Sequence, residues 1–158
     1  MAARKRILLA EDSLRDAELT LAALEEQHLS HEVMVVRDGA DALDYLYQRG
    51  EFTNVTNGRP VVVILDLKMP RVDGLEVLRQ IKADPNLQSV PVVMLTSSRE
   101  QQDLSQSYHL GANAYVVKPV DFQKFLASIR QIVIFWATIN EPPPGTIRRG
   151  AAETQPGA

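Results

Sequence analysis

An uninterrupted apolar run, VVVIL at residues 61–65, constrains the fold more than any other feature of this chain. The run shows no alternation with polar residues, so both faces of the strand that it predicts are expected to be buried. Parallel strands covered by helices on both sides of a sheet have this pattern, whereas antiparallel strands with one wet face alternate. The run therefore predicts a central strand of a parallel sheet, and this strand stops at Asp66.

Four more short apolar runs predict the remaining strands. They occur at residues 7–10, 33–36, 90–95 and 114–117. Each of the five strands is followed by a segment with helical character. The first of these segments begins near Ser13, and the other four span about 39–50, 73–83, 100–110 and 121–139. Because crossovers between parallel strands are right-handed, five such repeats predict an α/β fold with a doubly wound five-stranded parallel sheet.

Side chains suited to capping mark three of the helix ends. Ser13, followed three residues later by Asp16, has the spacing of a capping box at the first helix. Gly111 is suited to the residue that ends a helix, and Asp121 is suited to the N-cap of the last one. These signals mark the start of the first and last predicted helices and the end of the fourth.

The residues at which the strands end carry the chemistry. They are Glu11 and Asp12 after the first strand, Asp66 after the third, Thr96 after the fourth and Lys118 after the fifth. The carboxyl ends of parallel strands lie along one edge of an open sheet, where ligands bind. Each residue alone would fit a loop or a cap, but together they predict three carboxylates, a hydroxyl and an ammonium group at one site.

The predicted cluster of carboxylates suits a hard divalent cation. Close carboxylates repel one another, so such a site is expected to have raised pKa values or to hold a cation. Mg²⁺ prefers oxygen ligands and retains several waters. We predict Asp12, Asp66 and the backbone carbonyl of Lys68 as direct ligands of Mg²⁺. Glu11 is predicted to act through a water molecule.

The same cluster suits phosphoryl transfer. Asp66 can act as the nucleophile and become an aspartyl phosphate, while Lys118 neutralises the phosphoryl oxygens and the Thr96 hydroxyl donates a hydrogen bond. A competing interpretation is a phosphatase or phosphotransferase, which would use a second carboxylate two residues after the nucleophile as general acid. Lys68 occupies that position, so we predict that the protein is not an enzyme. A third interpretation is an interaction module that works without phosphorylation.

Around these residues the chain resembles the response-regulator receiver family, over roughly residues 4–139. The matching segments are LAEDS at 9–13, LDLKMPRVDG at 65–74, LTSS at 95–98, GANAY at 111–115 and VKP at 117–119. The resemblance implies the strand order 2-1-3-4-5, which a member of this family exemplifies. It also implies that Asp66 receives its phosphoryl group from a phosphohistidine on a sensor histidine kinase.

The resemblance further implies conformational roles. Thr96 and Tyr115 are the implied switch residues: the hydroxyl moves toward the phosphoryl group, and the aromatic ring turns inward. The alternative for Tyr115 is a half-buried aromatic residue of a strand. The Lys118–Pro119 peptide bond is implied to be cis, which proline permits. The acidic pair is Glu-Asp where the family most often has Asp-Asp, but this variant keeps Asp12 in place.

Softer motifs narrow the resemblance to the single-domain regulators that are paired with bacterial and cyanobacterial phytochromes. They are Asp16, PR at 70–71, SY at 107–108, LGAN at 110–113, DF at 121–122 and FW at 135–136. The implied phosphoryl donor is then a sensor histidine kinase of the phytochrome type. No output domain is predicted, so the signal is expected to pass through changed protein–protein interaction.

The last predicted helix has more apolar surface than one core contact requires. The strip expected to pack on the sheet contains Phe122, Leu126, Ile129 and Val133. The strip predicted to form a homodimer surface contains Ile132, Phe135, Trp136 and Ile139. An apolar surface of this size implies a partner, and a symmetric dimer is the simplest one. The alternative is overpacking against a neighbouring helix or the sheet edge.

Composition fits one receiver domain at residues 4–139, followed by a Pro- and Gly-rich C-terminal arm or tail at 140–158. The 158 residues are 45% hydrophobic and 23% charged, include no cysteine and carry a formal net charge of −3. The absence of cysteine excludes disulfides and thiolate sites, and the net charge argues against a nucleic-acid surface. The apolar run near the N-terminus is too short for a signal peptide or a membrane span. We therefore predict a cytoplasmic protein.

Overall fold

A five-stranded parallel sheet forms the centre of the computed structural model, which describes residues 5–53 and 58–148. Its strands are β1 (Ile7–Ala10), β2 (Val33–Val36), β3 (Val62–Leu65), β4 (Val92–Thr96) and β5 (Ala114–Val117). Their order across the sheet is β2-β1-β3-β4-β5, and every neighbouring pair is parallel. The predicted α/β class, the doubly wound sheet and the order 2-1-3-4-5 are confirmed.

One helix follows each strand. These helices are α1 (Leu14–Glu26), α2 (Gly39–Tyr47), α3 (Gly74–Ala83), α4 (Gln101–Leu110) and α5 (Phe122–Val133). Two single turns of 3₁₀-helix lie at Ser30–Glu32 and Gly50–Phe52. Within residues 5–53 and 58–148, no helix is both long enough and apolar enough to cross a membrane.

Both faces of the central strand β3 are buried, as the run at 61–65 predicts. Val63 and Leu65 of β3 lie in one core cluster, with Leu78 of α3. Ile64 lies in the cluster on the opposite face, with Ile129 of α5. Because helices cover both faces, the strands are held firmly and their carboxyl ends can position side chains along one edge of the sheet.

The three predicted caps are present. The Ser13 hydroxyl accepts a hydrogen bond from the Asp16 amide at 3.2 Å, and Asp121 Oδ1 accepts one from the Lys124 amide at 2.9 Å. Gly111 ends α4 with φ 107°, a left-handed conformation that favours glycine. These caps hold the first turns of α1 and α5 at the edge where the strands end.

The last helix continues past α5 as a π-helix, Ile134–Ile139, and so ends where the sequence predicted. The carbonyl of Ala137 in this wider segment accepts a hydrogen bond from Arg6 Nη2 at 2.6 Å. Arg6 also pairs with Glu32 at 2.8 Å, and both side chains are largely buried. Arg6, the residue before β1, therefore links the end of the last helix to Glu32.

Two predictions about the faces of α5 are wrong. Phe122 was expected in the core but is 46% exposed, and Ile132 was expected on the dimer surface but is 8% exposed. The buried positions of the helix are instead Phe125, Leu126, Ile129, Ile132 and Val133. Apolar residues recur at helical spacing along more than one strip of this helix. Periodicity alone therefore could not fix which strip faces the sheet.

The first part of the C-terminal arm packs on the rest of the chain. The Arg59 amide donates to the Gly145 carbonyl at 3.0 Å, and the Ile147 amide donates to the Arg59 carbonyl at 2.6 Å. The side chain of Ile147 is buried. Residues 4 and 54–57 of the predicted domain and residues 149–158 of the predicted arm lie outside the described residues, and the boundary at 139 and 140 stays a prediction.

Candidate functional site

Three carboxylates meet at the carboxyl edge of the sheet. Oxygen atoms of Glu11, Asp12 and Asp66 lie within 4.8 Å of one another. Hydrogen bonds of the sheet continue past the strands: the Glu11 amide donates to the Val36 carbonyl at 3.0 Å, and the Asp66 amide donates to the Ala10 carbonyl at 3.1 Å. The sheet thus holds both acidic backbones in place, and the carboxylates stay close despite their mutual repulsion.

The ammonium group of Lys118 lies among these carboxylates. Its Nζ atom donates to Glu11 Oε1 at 2.6 Å, to Asp16 Oδ2 at 2.8 Å and to Asp66 Oδ2 at 2.9 Å. The Lys118 side chain is only 9% exposed, and its backbone amide donates to the Thr96 carbonyl at 2.7 Å. The structure therefore brings Lys118 and Asp66 together, as the strand ends predicted.

The Lys118–Pro119 bond is trans, as are all peptide bonds among the described residues, so the implied cis bond is wrong. Trans is the lower-energy isomer of an X–Pro bond by about 0.5–1 kcal/mol. With the trans bond, Lys118 already makes its backbone hydrogen bond and its three ion pairs.

Burial and charge shift pKa values at the site. Burial raises the pKa of Glu11 to about 7; Lys118 opposes this rise and the Asp66 charge adds to it. Burial alone would lower the pKa of Lys118, but hydrogen bonds to Asp16, Glu11 and Asp66 outweigh burial and hold that pKa above the usual lysine value. The site keeps one ammonium charge against several carboxylates, so it favours a further cation.

Asp16 is a member of this cluster to which the sequence analysis gave a place in a helix cap and in the resemblance, but no role in the site. In a capping box, the acidic side chain would reach back to the amide of Ser13. Here Glu11 Oε2 accepts from that amide at 3.2 Å, which leaves the Asp16 carboxylate for Lys118. The sequence held one signal of this role: Asp16 lies in the first turn of the helix that begins just after Asp12.

The environment of Asp66 is set by the loop that follows β3. Its Oδ1 atom accepts from the Leu67 amide at 2.7 Å, which fixes the orientation of the carboxylate. A Cβ atom at Gly74 would lie 2.0 Å from the Asp66 carbonyl oxygen, so only glycine lets α3 begin this close to the site. Lys68 is exposed, and the role of its backbone carbonyl stays a prediction.

The two predicted switch residues are connected through Ser98. Thr96 is buried, and its hydroxyl accepts from the Ser98 amide at 3.3 Å. The Tyr115 hydroxyl donates to the Ser98 carbonyl at 3.0 Å. The Ser98 hydroxyl in turn donates to Asp103 of α4 at 2.5 Å. One residue therefore contacts both predicted switch residues and the start of α4.

Apolar side chains that the sequence analysis did not assign to the site lie on the same edge of the sheet. Val120 is 95% exposed, and with Phe122 it lines a cavity of about 200 Å³ beside Lys118 and Asp16. Leu14, in the first turn of α1, is also exposed. Val120 and Phe122 therefore place exposed apolar surface beside the charged groups of the site.

Three of the four residues predicted for the dimer surface are accessible. Phe135 is 45% exposed and Ile139 is 65% exposed. Trp136 is partly buried, and its ring meets that of Phe135 edge to face, with 5.0 Å between centroids. Ile132 is excluded from this surface because it lies in the core.

The sheet order and the cluster around Asp66 together define a class of protein. The family model described as "Response regulator receiver domain" matches residues 7–130. The chain belongs to this family, as the resemblance implied. It is therefore a phosphorelay receiver and a signalling protein of two-component systems.

Among receivers, the chain is similar to the phytochrome response regulators. Response regulator Rcp1 of Synechocystis is 39% identical over 132 residues, which are 84% of this chain and 88% of Rcp1, and its Mn²⁺-bound form superposes with TM-score 0.82. The phosphorylated cyanobacterial phytochrome response regulator RcpA is 40% identical, with TM-score 0.83 over 89% of this chain and 99% of its own. The bacteriophytochrome response regulator RtBRR is 59% identical, with TM-score 0.70 over 91% and 87%.

Proposed function

We propose that Asp66 accepts a phosphoryl group from a phosphohistidine on a sensor histidine kinase of the phytochrome type. The observation that supports this most directly is the distance of 2.9 Å between Asp66 Oδ2 and Lys118 Nζ, inside a cluster of carboxylates. The kinase class is supported by the similarity to RcpA, described as a phytochrome response regulator, and to RtBRR, described as a bacteriophytochrome response regulator.

The proposed reaction is a substitution at phosphorus. A carboxylate oxygen of Asp66 forms a bond to phosphorus while the bond from phosphorus to the histidine nitrogen breaks, and that electron pair stays on the imidazole. The Leu67 amide holds the carboxylate in orientation. Lys118 offsets the negative charge of the transferred group, and the Thr96 hydroxyl is a donor for one of its oxygens.

The donor set fits Mg²⁺. Carboxylate oxygens within 4.8 Å of one another at the edge of a sheet are the ligands that a hard cation prefers. Asp12, Asp66 and the Lys68 carbonyl would hold Mg²⁺ directly, and Glu11 would hold it through water. When bound, Mg²⁺ supplies positive charge that offsets the carboxylates and the phosphoryl oxygens. A relative, Rcp1, has a Mn²⁺-bound form, which supports a divalent ion as the cofactor.

The exposed apolar side chains beside the site favour a protein as the phosphoryl donor. Leu14 is exposed in the first turn of α1, and Val120 and Phe122 line the cavity beside Lys118 and Asp16. A small phosphate ester would gain nothing from them, whereas a kinase domain that delivers its phosphohistidine would bury them. This surface also supports the proposal that the protein is not an enzyme acting on small substrates.

We assign the output to a conformational change that alters protein–protein interaction. Thr96 and Tyr115 are the proposed switch residues, because both bond to Ser98 and Ser98 bonds to α4. A homodimer is proposed to form through Phe135, Trp136 and Ile139, with the arm at 140–158 extending it. Ile132 is no longer part of this surface. The proposal includes no nucleic-acid partner and no membrane, and it places the protein in the cytoplasm.

Transfer from an autophosphorylated kinase tests this function. A phytochrome-type histidine kinase carrying labelled phosphohistidine is mixed with the wild-type chain or with Asp66→Asn, in buffer with Mg²⁺. The label is expected to move to the wild-type chain and to stay on the kinase with Asp66→Asn. Transfer to both chains would refute Asp66 as acceptor. Transfer from an unrelated histidine kinase at an equal rate would refute the phytochrome link alone.

A further inference from the structure

Lys118 has no hydrogen-bond donor left over. An ammonium group has three N–H donors, and the structure gives each of them a carboxylate, on Glu11, Asp16 and Asp66. Glu11 and Asp66 follow the strands and were predicted for the site. Asp16 comes from α1, and no step of the proposed reaction uses it so far.

Asp16 is held rigidly enough to act as an anchor. Its amide donates to the Ser13 hydroxyl at 3.2 Å, and its carbonyl accepts from the Thr20 hydroxyl at 2.8 Å. Its side chain is 25% exposed, and the Lys118 side chain that it bonds is 9% exposed. A carboxylate fixed on the first turn of α1 can therefore restrict the movement of a buried ammonium group.

We infer that Asp16 is a positioning residue for phosphorylation, because it and Glu11 hold the Lys118 ammonium group in place while its third hydrogen bond passes from Asp66 to a phosphoryl oxygen. This inference rests on the proposed role of Asp66. The third donor is already directed at Asp66, so the ammonium group need not move far when the phosphoryl group arrives. Positioning of this kind lowers the cost of reaching the transition state.

Asp16 has two opposing effects, and their sizes decide the outcome. Its hydrogen bond holds Lys118 in position, which favours the reaction. Its negative charge also competes for the ammonium charge, which disfavours the reaction. Because the Asp16 carboxylate is partly exposed, solvent screens its charge, while the hydrogen bond at 2.8 Å acts directly on Lys118. We therefore expect positioning to dominate.

Two substitutions separate these effects. Asp16→Ala removes both the hydrogen bond and the charge. Asp16→Asn keeps an acceptor oxygen and removes only the charge. Glu18→Ala is the matched control, since Glu18 is an exposed carboxylate on the same helix. Each chain is incubated with phosphoramidate and Mg²⁺, and the initial rate of phosphoryl incorporation is measured by mass spectrometry, with the unfolding temperature recorded in parallel.

Asp16→Ala is expected to slow incorporation by about threefold to tenfold, the size of effect for a partly exposed charge-assisted hydrogen bond. Asp16→Asn should keep at least about half of the wild-type rate, because its amide oxygen still accepts from Lys118. Glu18→Ala should match the wild type. A wild-type or faster rate in Asp16→Ala overturns the inference, and so does an equal loss in Asp16→Ala and Asp16→Asn, because an acceptor oxygen at this position would then not maintain the rate.

A second measurement needs neither metal nor donor. In metal-free protein, an amine-acylating reagent should modify Lys118 faster in Asp16→Ala than in the wild type or Glu18→Ala, because one of its three partners is gone. Equal modification of Lys118 in all three chains would overturn the inference. Failure of the proposed function looks different: the wild type takes up no phosphoryl group, or Asp66→Asn takes it up equally.

Discussion

The Tyr115 hydroxyl on β5 donates a hydrogen bond at 3.0 Å to the backbone carbonyl of Ser98, which lies in the loop between β4 and α4. Ser98 is also bonded to the Thr96 hydroxyl through its amide and to Asp103 through its side chain. Rotation of the Thr96 hydroxyl toward a phosphoryl group would remove the acceptor of the Ser98 amide. In the proposed switch, Ser98 is the point at which a change beside Asp66 would reach Tyr115 and α4.

Removing the Tyr115 hydroxyl should weaken this coupling without harming the site. In Tyr115→Phe the ring remains but cannot bond to Ser98. We expect the amide chemical-shift changes in α4 on adding beryllofluoride and Mg²⁺ to fall to about half or less, since one of the bonds that carry them is lost. The control is Tyr108→Phe, an exposed tyrosine on α4. Wild-type shift changes in Tyr115→Phe would contradict the coupling through Ser98.

The buried pair of Arg6 and Glu32 should be important for stability. Arg6 binds both Glu32 and the Ala137 carbonyl, so Arg6→Ala leaves a carboxylate in a largely buried place and releases the π-helix. Breaking a buried ion pair typically costs about 3–5 kcal/mol. The free energy of unfolding of Arg6→Ala, measured with denaturant, should be lower than that of the wild type by this amount.

The control for Arg6 is Arg148→Ala, which breaks an exposed Arg–Glu pair with Glu141. Exposed pairs contribute about 0–1 kcal/mol, so the control should differ little from the wild type. If Arg6→Ala and Arg148→Ala lower the free energy of unfolding by the same amount, the Arg6 pair has no special part in holding the last helix.

The ion pair between Glu26 and Arg130 predicts a pH-dependent link between α1 and α5. The Arg130 hydrogen bond lowers the pKa of Glu26 below its ordinary value of 4.5. A lowered carboxylate pKa stabilises the folded state above the unfolded-state value, and this stabilisation is lost as pH falls through the folded-state value. The unfolding temperature of Glu26→Gln should therefore be slightly below that of wild type at pH 7, and the difference should vanish in acid.

Arg130→Gln provides the matched test of that pair. It should lower the unfolding temperature at pH 7 as Glu26→Gln does, and the double variant should lose less than the sum of both. Additive losses, or a difference that persists at low pH, would show that Glu26 and Arg130 do not act on each other.

Polar substitutions at the end of the last helix test the proposed dimer. Phe135→Ser with Ile139→Ser removes two exposed apolar side chains, and the sedimentation mass should fall from that of a dimer to that of one chain. Phe122→Ser is the control, because Phe122 is about as exposed as Phe135 but lies at the other end of α5. An unchanged mass in the double variant, or an equal fall in the control, would refute this surface.

Most of the fold could be predicted because its signals are local. The run at 61–65 lacks alternation, and both faces of β3 are indeed buried. Glu11, Asp66 and Lys118 meet because parallel strands end at one edge, a rule that needs no coordinates. The contacts that depend on side-chain reach are different: the bond from Asp16 to Lys118 crosses from α1 to the end of β5.

The errors also have physical causes. Apolar residues on α5 recur along more than one strip, so the sequence could not tell that Ile132 faces the sheet and Phe122 faces outward. The bond before Pro119 is trans. The two isomers of an X–Pro bond differ little in free energy, so the residue pattern could not show which one is present. The contact of Arg59 with Gly145 joins two irregular segments, where no periodicity exists to indicate it.

Phosphoryl incorporation at Asp66 tests the central claim most directly. Wild type and Asp66→Asn are incubated with phosphoramidate, with Mg²⁺ or with a chelator, and the intact masses are compared before peptide mapping. We expect one phosphoryl group on the wild type, located in the peptide that contains Asp66, far less with the chelator and none on Asp66→Asn. A wild type that stays unmodified with Mg²⁺, or an Asp66→Asn chain that gains the same mass, would contradict the claim.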